Sequence, residues 1–149
     1  MSELTILITG ASRGLGAAAA RAAGQLGANV VLTARSAGDL EAVAAGVRDA
    51  GGQALAVPAD VSRPEDNERV VAAAIERFGG LDALVNNAGI LGPVGSIAEA
   101  EADAWTETWA INVLGPVILT RAALPHLRER KGRVINVSSG AAVSPVPGW

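Results

Sequence analysis

Residues 4–16, LTILITGASRGLG, contain the most informative pattern in the sequence. The first five of these residues form an aliphatic run typical of a strand buried on both faces. Three spaced glycines follow, directly before an alanine-rich helical segment. We expect Gly10 to permit a tight turn, Gly14 to let a phosphate approach the backbone, and Gly16 to allow close helix–strand packing. The helix N-terminus would then offer N–H groups to an anion. A glycine-rich turn that binds nothing is the alternative.

The rest of the chain alternates between short aliphatic runs and helical segments. Further strands are predicted at 30–33, 54–57, 83–85 and 134–137, and helices at 17–26, 37–50, 62–78 and 102–130. Repeated strand, helix and strand predict right-handed βαβ units, and therefore an α/β fold with a parallel sheet covered by helices on both faces. The length fits a single domain covering residues 1–149.

Local signals place the ends and bends of these helices. Gly27 is a natural C-terminal cap. Ser62 and Glu65 have the spacing of a capping box. In the long helix, the Gly115-Pro116 pair and Pro125 predict bends or breaks.

Composition excludes several classes of function. The chain of 149 residues has no cysteine, one histidine and a formal net charge of -3. The missing cysteine excludes a disulfide scaffold and a thiol nucleophile, and a metal site is not expected. The mild acidity argues against a nucleic acid or an anionic membrane surface as main partner. No uninterrupted apolar run approaches the roughly 20 residues of a membrane span, and we expect a cytoplasmic protein.

Later motifs extend the glycine turn, whose pattern is TGxxxGxG. Asp60-Val61 follows the third predicted strand, and Asn-Asn-Ala-Gly at 86–89 follows the fourth. Asn112 lies in the long helix, and Ser138-Ser139 closes the fifth strand. In this order and spacing the chain resembles the classical short-chain dehydrogenase/reductase family over its whole length. The resemblance implies a Rossmann-like doubly wound parallel sheet that binds a nicotinamide dinucleotide.

The second strand bears on which dinucleotide is preferred. An NAD site usually places an acid near the end of that strand, to accept from the ribose 2′-OH. Here the strand ends in Thr33-Ala34-Arg35, and the next acid, Asp39, belongs to the following segment. Arg35 could instead bind a 2′-phosphate, and Arg13 would add a second positive charge. Together with the family pattern, this favours NADP over NAD; two solvated arginines are the alternative.

The resemblance also assigns cofactor contacts residue by residue. Asp60 would accept from the adenine amino group, Val61 would pack beside the ring, and Asn87 would lie near the adenosine ribose. Asp60 could instead cap a turn, and the segment of Asn87 also steadies the sheet. The full predicted cofactor set is Gly10, Ser12, Arg13, Gly14, Leu15, Gly16, Arg35, Asp60, Val61, Asn87, Ala88 and Gly89.

The family reaction is hydride transfer between the nicotinamide and a carbonyl or alcohol carbon. It uses a tyrosine, a lysine, a serine and an asparagine. Ser139 matches the substrate-binding serine and Asn112 the asparagine that orders a water, with Ser138 as the weaker candidate. A strand-end hydroxyl and a helix-bend residue are the alternatives. The chain contains no tyrosine, and Lys131 is its only lysine.

We therefore expect a fold truncated after the fifth strand, and an inactive 149-residue polypeptide. The segment 145–149 resembles the approach to the family's Tyr-x-x-x-Lys motif. The complete protein would be an NADP-preferring oxidoreductase acting on a small carbonyl or alcohol, with homo-oligomers expected. The alternative is a dinucleotide-binding remnant that catalyses nothing. Trp105 and Trp109, four residues apart, should share a helix face and pack in the core or at an interface.

Overall fold

The computed structural model describes residues 4–144, so segment 145–149 lies outside the described residues. The strands are β1 (Thr5–Thr9), β2 (Asn29–Thr33), β3 (Gln53–Ala56), β4 (Ala83–Asn86) and β5 (Arg133–Asn136). The α-helices are α1 (Gly14–Gln25), α2 (Ala37–Asp49), α3 (Pro64–Phe78), α4 (Ala102–Trp109) and α5 (Gly115–Arg130). A π-helical turn, Ala110–Leu114, joins α4 to α5, and a 3₁₀ turn, Gly140–Ala142, follows β5.

The five strands form one parallel sheet in the order β3-β2-β1-β4-β5. The chain runs outward from β1 to β3 and then crosses back to β4. The strand order therefore reverses beside β1, and ligands of such sheets bind at that point, outside the carboxyl ends of the strands. The predicted α/β fold with a doubly wound parallel sheet is confirmed.

Two hydrophobic cores cover the two faces of the sheet. Adjacent strand residues point to opposite faces. Leu7 belongs to the core under α3 and α5, while Ile8 belongs to the core under α1 and α2. Both side chains are almost fully buried. This double burial explains why the strands are continuous apolar runs rather than alternating ones.

The predicted helix ends were right at two places and wrong at one. Gly27 and Gly79 adopt the left-handed conformation, each with φ of +73°, and end α1 and α3. The capping box at Ser62 is wrong, because α3 starts one residue later and Arg63 is its N-cap. The Ser62 hydroxyl instead donates to Asp60 Oδ1 at 2.7 Å. Asp66, in the first turn, accepts the backbone N–H of Asp60 at 2.8 Å.

The long helical region does not break at Gly115-Pro116. Backbone angles remain helical from α4 through the π turn into α5, and Pro125 lies inside α5. By length and composition alone, the stretch Ala102–Glu129 could cross a membrane. Core helices of globular proteins meet the same criterion, and one side of α5 buries Leu119, Ala123 and Leu127 against the sheet.

Two surfaces of the described chain expose apolar side chains. Trp105 and Trp109 are 47% and 59% exposed, so they do not pack in the core of the described chain, and their packing at an interface stays a prediction. Among the described strands, β5 forms one edge of the sheet, and Ile135 at its centre is 50% exposed. β5 therefore presents apolar side chains at an edge of the described sheet.

Candidate functional site

A cavity of about 430 Å³ opens at the carboxyl ends of the central strands. Most of the predicted cofactor residues line it: Gly10, Ser12, Arg13, Arg35, Asp60, Val61, Asn87, Ala88 and Gly89. Gly14, Leu15 and Gly16 do not line it but form the first turn of α1 beside it. The sequence prediction missed Ala34, Ser36, Asp39, Ala59, Ile90 and Ile111, which complete the wall.

The glycine turn is shaped by close backbone approaches. Gly10 has φ of +62°, and a Cβ there would lie 2.8 Å from Ala88 Cα. A Cβ on Gly16 would lie 2.5 Å from the Gly10 carbonyl oxygen. Gly14 also has positive φ, at +56°, but a Cβ there would have no neighbour within 4 Å. Gly10 and Gly16 are thus required by packing inside the protein, whereas Gly14 leaves open space.

The N-terminus of α1 has no side-chain cap. Its N-cap, Arg13, is extended and makes no capping hydrogen bond. The first N–H groups of a helix have no partner within the helix. Here they stand at the edge of the cavity, where the helix dipole favours an anion.

Thr9, which the sequence did not single out as a site residue, connects the glycine turn to the segment that follows β4. Thr9 Oγ1 accepts the backbone N–H groups of Asn87 and Ala88 at 3.0 and 2.9 Å. In return, Asn87 Nδ2 donates to the carbonyl oxygens of Thr9 and Gly10, at 2.9 and 3.3 Å. Thr9 is 2% exposed. The side chain of Asn87 therefore holds the ends of β1 and β4 together. Thr9 could have been noticed in the sequence as a polar residue at the end of a buried aliphatic strand.

The adenine end of the predicted site rests on a short ordered turn. Asp60 Oδ1 accepts both the backbone N–H and the hydroxyl of Ser62, at 2.9 and 2.7 Å. Val61 is buried, and its carbonyl oxygen accepts from Asn67 Nδ2 at 2.8 Å. These contacts fix the turn and leave the second carboxylate oxygen of Asp60 without a hydrogen-bond partner among residues 4–144.

A neighbouring cavity of about 900 Å³ lies between β4, β5 and the start of α5. Asn112, Ser138 and Ser139 all line it, so the structure brings the two predicted catalytic residues together. Ser139 is the N-cap of the 3₁₀ turn, and its Oγ accepts from the Ala141 N–H at 3.2 Å. Its hydroxyl proton remains able to donate.

Asn112 is held by the backbone of the loop after β4. Its Oδ1 accepts the Ile90 N–H at 2.9 Å, and its Nδ2 donates to the Ile90 carbonyl at 2.8 Å. Both ends of the amide are therefore in use. The residue lies in the π-helical turn, a feature that is often found at functional sites.

No metal centre is formed by the part of the chain that the structure describes. Residues 4–144 contain no group of three His, Asp or Glu side chains that could hold an ion.

Comparison with known proteins gives the family. Residues 4–149 match the short chain dehydrogenase family. The chain belongs to that family. It is 38% identical, over its full length, to human dehydrogenase/reductase SDR family member 4, of which it covers 54%. It is 43% identical to 11-beta-hydroxysteroid dehydrogenase A of Sesamum indicum, covering 95% of this chain and 41% of that one.

Solved structures of the family agree with the fold. A metagenomic short-chain oxidoreductase in complex with NADP superposes with a TM-score of 0.91 at 38% identity, covering 97% of this chain and 66% of that chain. An NAD⁺-bound xylitol dehydrogenase superposes with a TM-score of 0.93 at 29% identity, covering 97% of this chain and 56% of that one. The chain spans about half the length of the curated relatives it matches.

Proposed function

We propose that this protein is an NADP-preferring short-chain oxidoreductase that interconverts a carbonyl and a secondary alcohol by hydride transfer. One observation carries the cofactor preference. Arg13 and Arg35 line the same cavity and are exposed, and their side chains make no hydrogen bond or ion pair within residues 4–144. Two unpaired guanidinium groups suit a 2′-phosphate. Ala34 stands where an NAD site would place an acid.

Other features of the cavity fit the rest of a dinucleotide. The uncapped first turn of α1 and the open space at Gly14 suit the pyrophosphate. The free carboxylate oxygen of Asp60 could accept from the adenine amino group, beside Val61. Asn87, Ala88 and Gly89 line both cavities, so a dinucleotide crossing them would extend from the arginines toward Ser139. Among structural neighbours, one alcohol dehydrogenase holds 5-hydroxy-NADP and another reductase is NADH-dependent.

The second cavity supports the reaction type. The nicotinamide, when bound, would supply or accept the hydride. The Ser139 hydroxyl would donate a hydrogen bond to the substrate oxygen, and the hydrogen bond that its Oγ accepts from the Ala141 N–H orients it for this. The side-chain amide of Asn112 is occupied by Ile90. Pro116 has no N–H, so the Asn112 carbonyl oxygen lacks its usual helical donor and is the better atom to hold a water.

The cofactor preference is tested by Arg35→Asp, with NADPH and NADH affinities measured by fluorescence titration. We expect the ratio of NADPH to NADH affinity to fall at least tenfold, because the variant repels the 2′-phosphate. Arg48→Asp is the matched control, since it makes the same charge change on the exposed last turn of α2, outside the residues that line the cavity. An unchanged ratio in Arg35→Asp would show that Arg35 does not read the phosphate.

A dinucleotide-binding protein without catalysis is the second candidate, because residues 1–149 contain no tyrosine. Sequencing the gene beyond codon 149 separates the two. A tyrosine and lysine in the family spacing would support the oxidoreductase, which is then screened with NADPH against small ketones. A stop codon would favour the non-catalytic protein and would make the 149-residue polypeptide inactive in that screen.

We also propose that the complete protein is a cytoplasmic homo-oligomer that uses the helical region 102–130. This region exposes a series of apolar side chains: Trp105, Trp109, Val113, Leu114, Val117 and Leu124. Its first half carries Asp103 and Glu107, whereas its second half carries Arg121 and Arg128. An antiparallel pair of such helices would bury the apolar side chains and set opposite charges against each other.

A further inference from the structure

We propose that Asp39 is a second determinant of cofactor specificity, which opposes the two arginines and preserves NADH binding. The inference rests on the proposed dinucleotide site. In the sequence Asp39 lies beyond the second strand and its following turn. In the structure it lines the same cavity as Arg13 and Arg35.

The position of Asp39 follows from the start of α2. Ser36 is the N-cap, and its Oγ accepts the Asp39 backbone N–H at 3.4 Å. Asp39 therefore stands in the first turn, one turn beyond the cap, where the helix dipole favours its negative charge. Ser36 and Asp39 both line the cavity, although the three residues between β2 and α2 separate Asp39 from the strand end.

The carboxylate of Asp39 is free to act on a ligand. It is exposed, and it forms no hydrogen bond or ion pair with any of the described residues. In particular, neither guanidinium in the cavity pairs with it within 4.0 Å. The cavity therefore contains two unpaired guanidinium groups that could bind an anion and one unpaired carboxylate that could accept a hydrogen bond from a hydroxyl group.

The two ligands differ in what the ribose presents. A 2′-phosphate carries close to two negative charges and would be attracted by the arginines and repelled by Asp39. A free 2′-OH is a hydrogen-bond donor, for which a carboxylate is the natural acceptor. Asp39 therefore weakens NADPH binding and strengthens NADH binding, so the protein would accept both cofactors with a moderate preference for NADPH.

The test is Asp39→Asn in the protein expressed from its complete gene, with NADPH and NADH dissociation constants measured at low and high salt. Asparagine keeps the size of the side chain and its compatibility with the first helical turn. We expect NADPH to bind about 3- to 10-fold more tightly at low salt, because a repulsive charge is removed, and the gain to shrink at high salt. NADH should bind about 2- to 3-fold more weakly, because the acceptor of the 2′-OH hydrogen bond loses its charge.

Two variants serve as controls. Asp39→Glu keeps the charge and should retain the wild-type ratio of affinities within about twofold. Asp49→Asn makes the same charge change at the exposed far end of α2, away from the cavity. The inference is overturned if the ratio of NADPH to NADH affinity does not rise in Asp39→Asn, or if it rises equally in Asp49→Asn. If the wild-type protein binds NADH alone or neither dinucleotide, the proposed function fails and this inference fails with it.

Discussion

Gly16 shows how a single residue can be fixed by its neighbours rather than by its own conformation. Its backbone angles are those of an ordinary helix, so another residue would be tolerated on conformational grounds. What excludes a side chain is the Gly10 carbonyl, 2.5 Å from a built Cβ, and Asn87 Nδ2 at 2.6 Å. Because Asn87 also bonds to Thr9, any shift at Gly16 spreads to the whole turn.

We therefore predict that Gly16→Ala costs roughly 1–3 kcal/mol of stability and weakens NADPH binding at least tenfold. The added methyl group would move α1 away from β1 and displace the N–H groups at its start. Urea unfolding and fluorescence titration measure the two effects.

Gly38→Ala is the matched control in the first turn of α2. A Cβ there meets nothing within 4 Å, so we expect a gain of about 0.4–1 kcal/mol. Equal stabilities of Gly16→Ala and wild type would show that the turn accommodates the added methyl group without a loss of stability.

At the scale of the element, the start of α3 differs from its sequence signal. A capping box needs Ser62 to accept from the helix, but Ser62 donates to Asp60. Asp66 is the acid with hydrogen bonds at this helix start: one carboxylate oxygen accepts the Asp60 N–H, and the other accepts from the Arg69 guanidinium at 2.7 Å. The hydrogen bond from the Asp60 backbone and the Arg69 guanidinium hold the pKa of Asp66 below its usual 3.8.

We predict that Asp66→Asn destabilises the protein by roughly 1 kcal/mol at neutral pH. The folded pKa of Asp66 is depressed, so its stabilisation is fully present above the unfolded pKa of 3.8. It disappears as the pH falls through the folded value. The stability difference between wild type and variant should be constant down to about pH 5 and should shrink below pH 4.

Glu65→Gln is the control, since the capping-box interpretation would make Glu65 the important acid. The Glu65 side chain has no hydrogen-bond partner among the described residues, and we expect a change below about 0.5 kcal/mol. Urea unfolding between pH 3 and pH 7 gives both values. A larger loss of stability from Glu65→Gln than from Asp66→Asn would support the capping-box interpretation and contradict the prediction.

For the whole molecule, the sheet edge at β5 is the decisive feature. Val134 and Ile135 of β5, and Val137 directly after it, are between 36% and 50% exposed, and β5 has one neighbouring strand in the described structure. Exposed apolar edges pair with other chains. The 149-residue polypeptide, expressed by itself, should therefore self-associate and unfold over a broad range.

Ile135→Lys should raise the monomer fraction of that polypeptide severalfold in analytical ultracentrifugation, because a charged side chain blocks edge pairing. Leu26→Lys adds the same charge at an 88%-exposed site far from the edge and should leave the fraction unchanged. A monomeric wild-type sample with a sharp, cooperative unfolding transition would contradict the prediction.

The architecture, and the meeting of most predicted cofactor residues at one cavity, could be predicted from the amino-acid sequence. Buried parallel strands need continuous apolar runs, and glycines are required where backbones meet, so both features can be seen without coordinates. Most predicted cofactor residues line one cavity because the carboxyl ends of parallel strands meet at one edge of the sheet.

The hydrogen-bond partners of the side chains could not be predicted from the sequence and became visible in the three-dimensional structure. Thr9 binds Asn87 across 78 positions of sequence, Asn112 binds Ile90, and Asp39 turns into the cavity of the arginines. The failed capping box at Ser62 has the same origin. Hydrogen bonds and charges act through space, and local spacing fixes neither the distance between two elements nor the groups that face each other there.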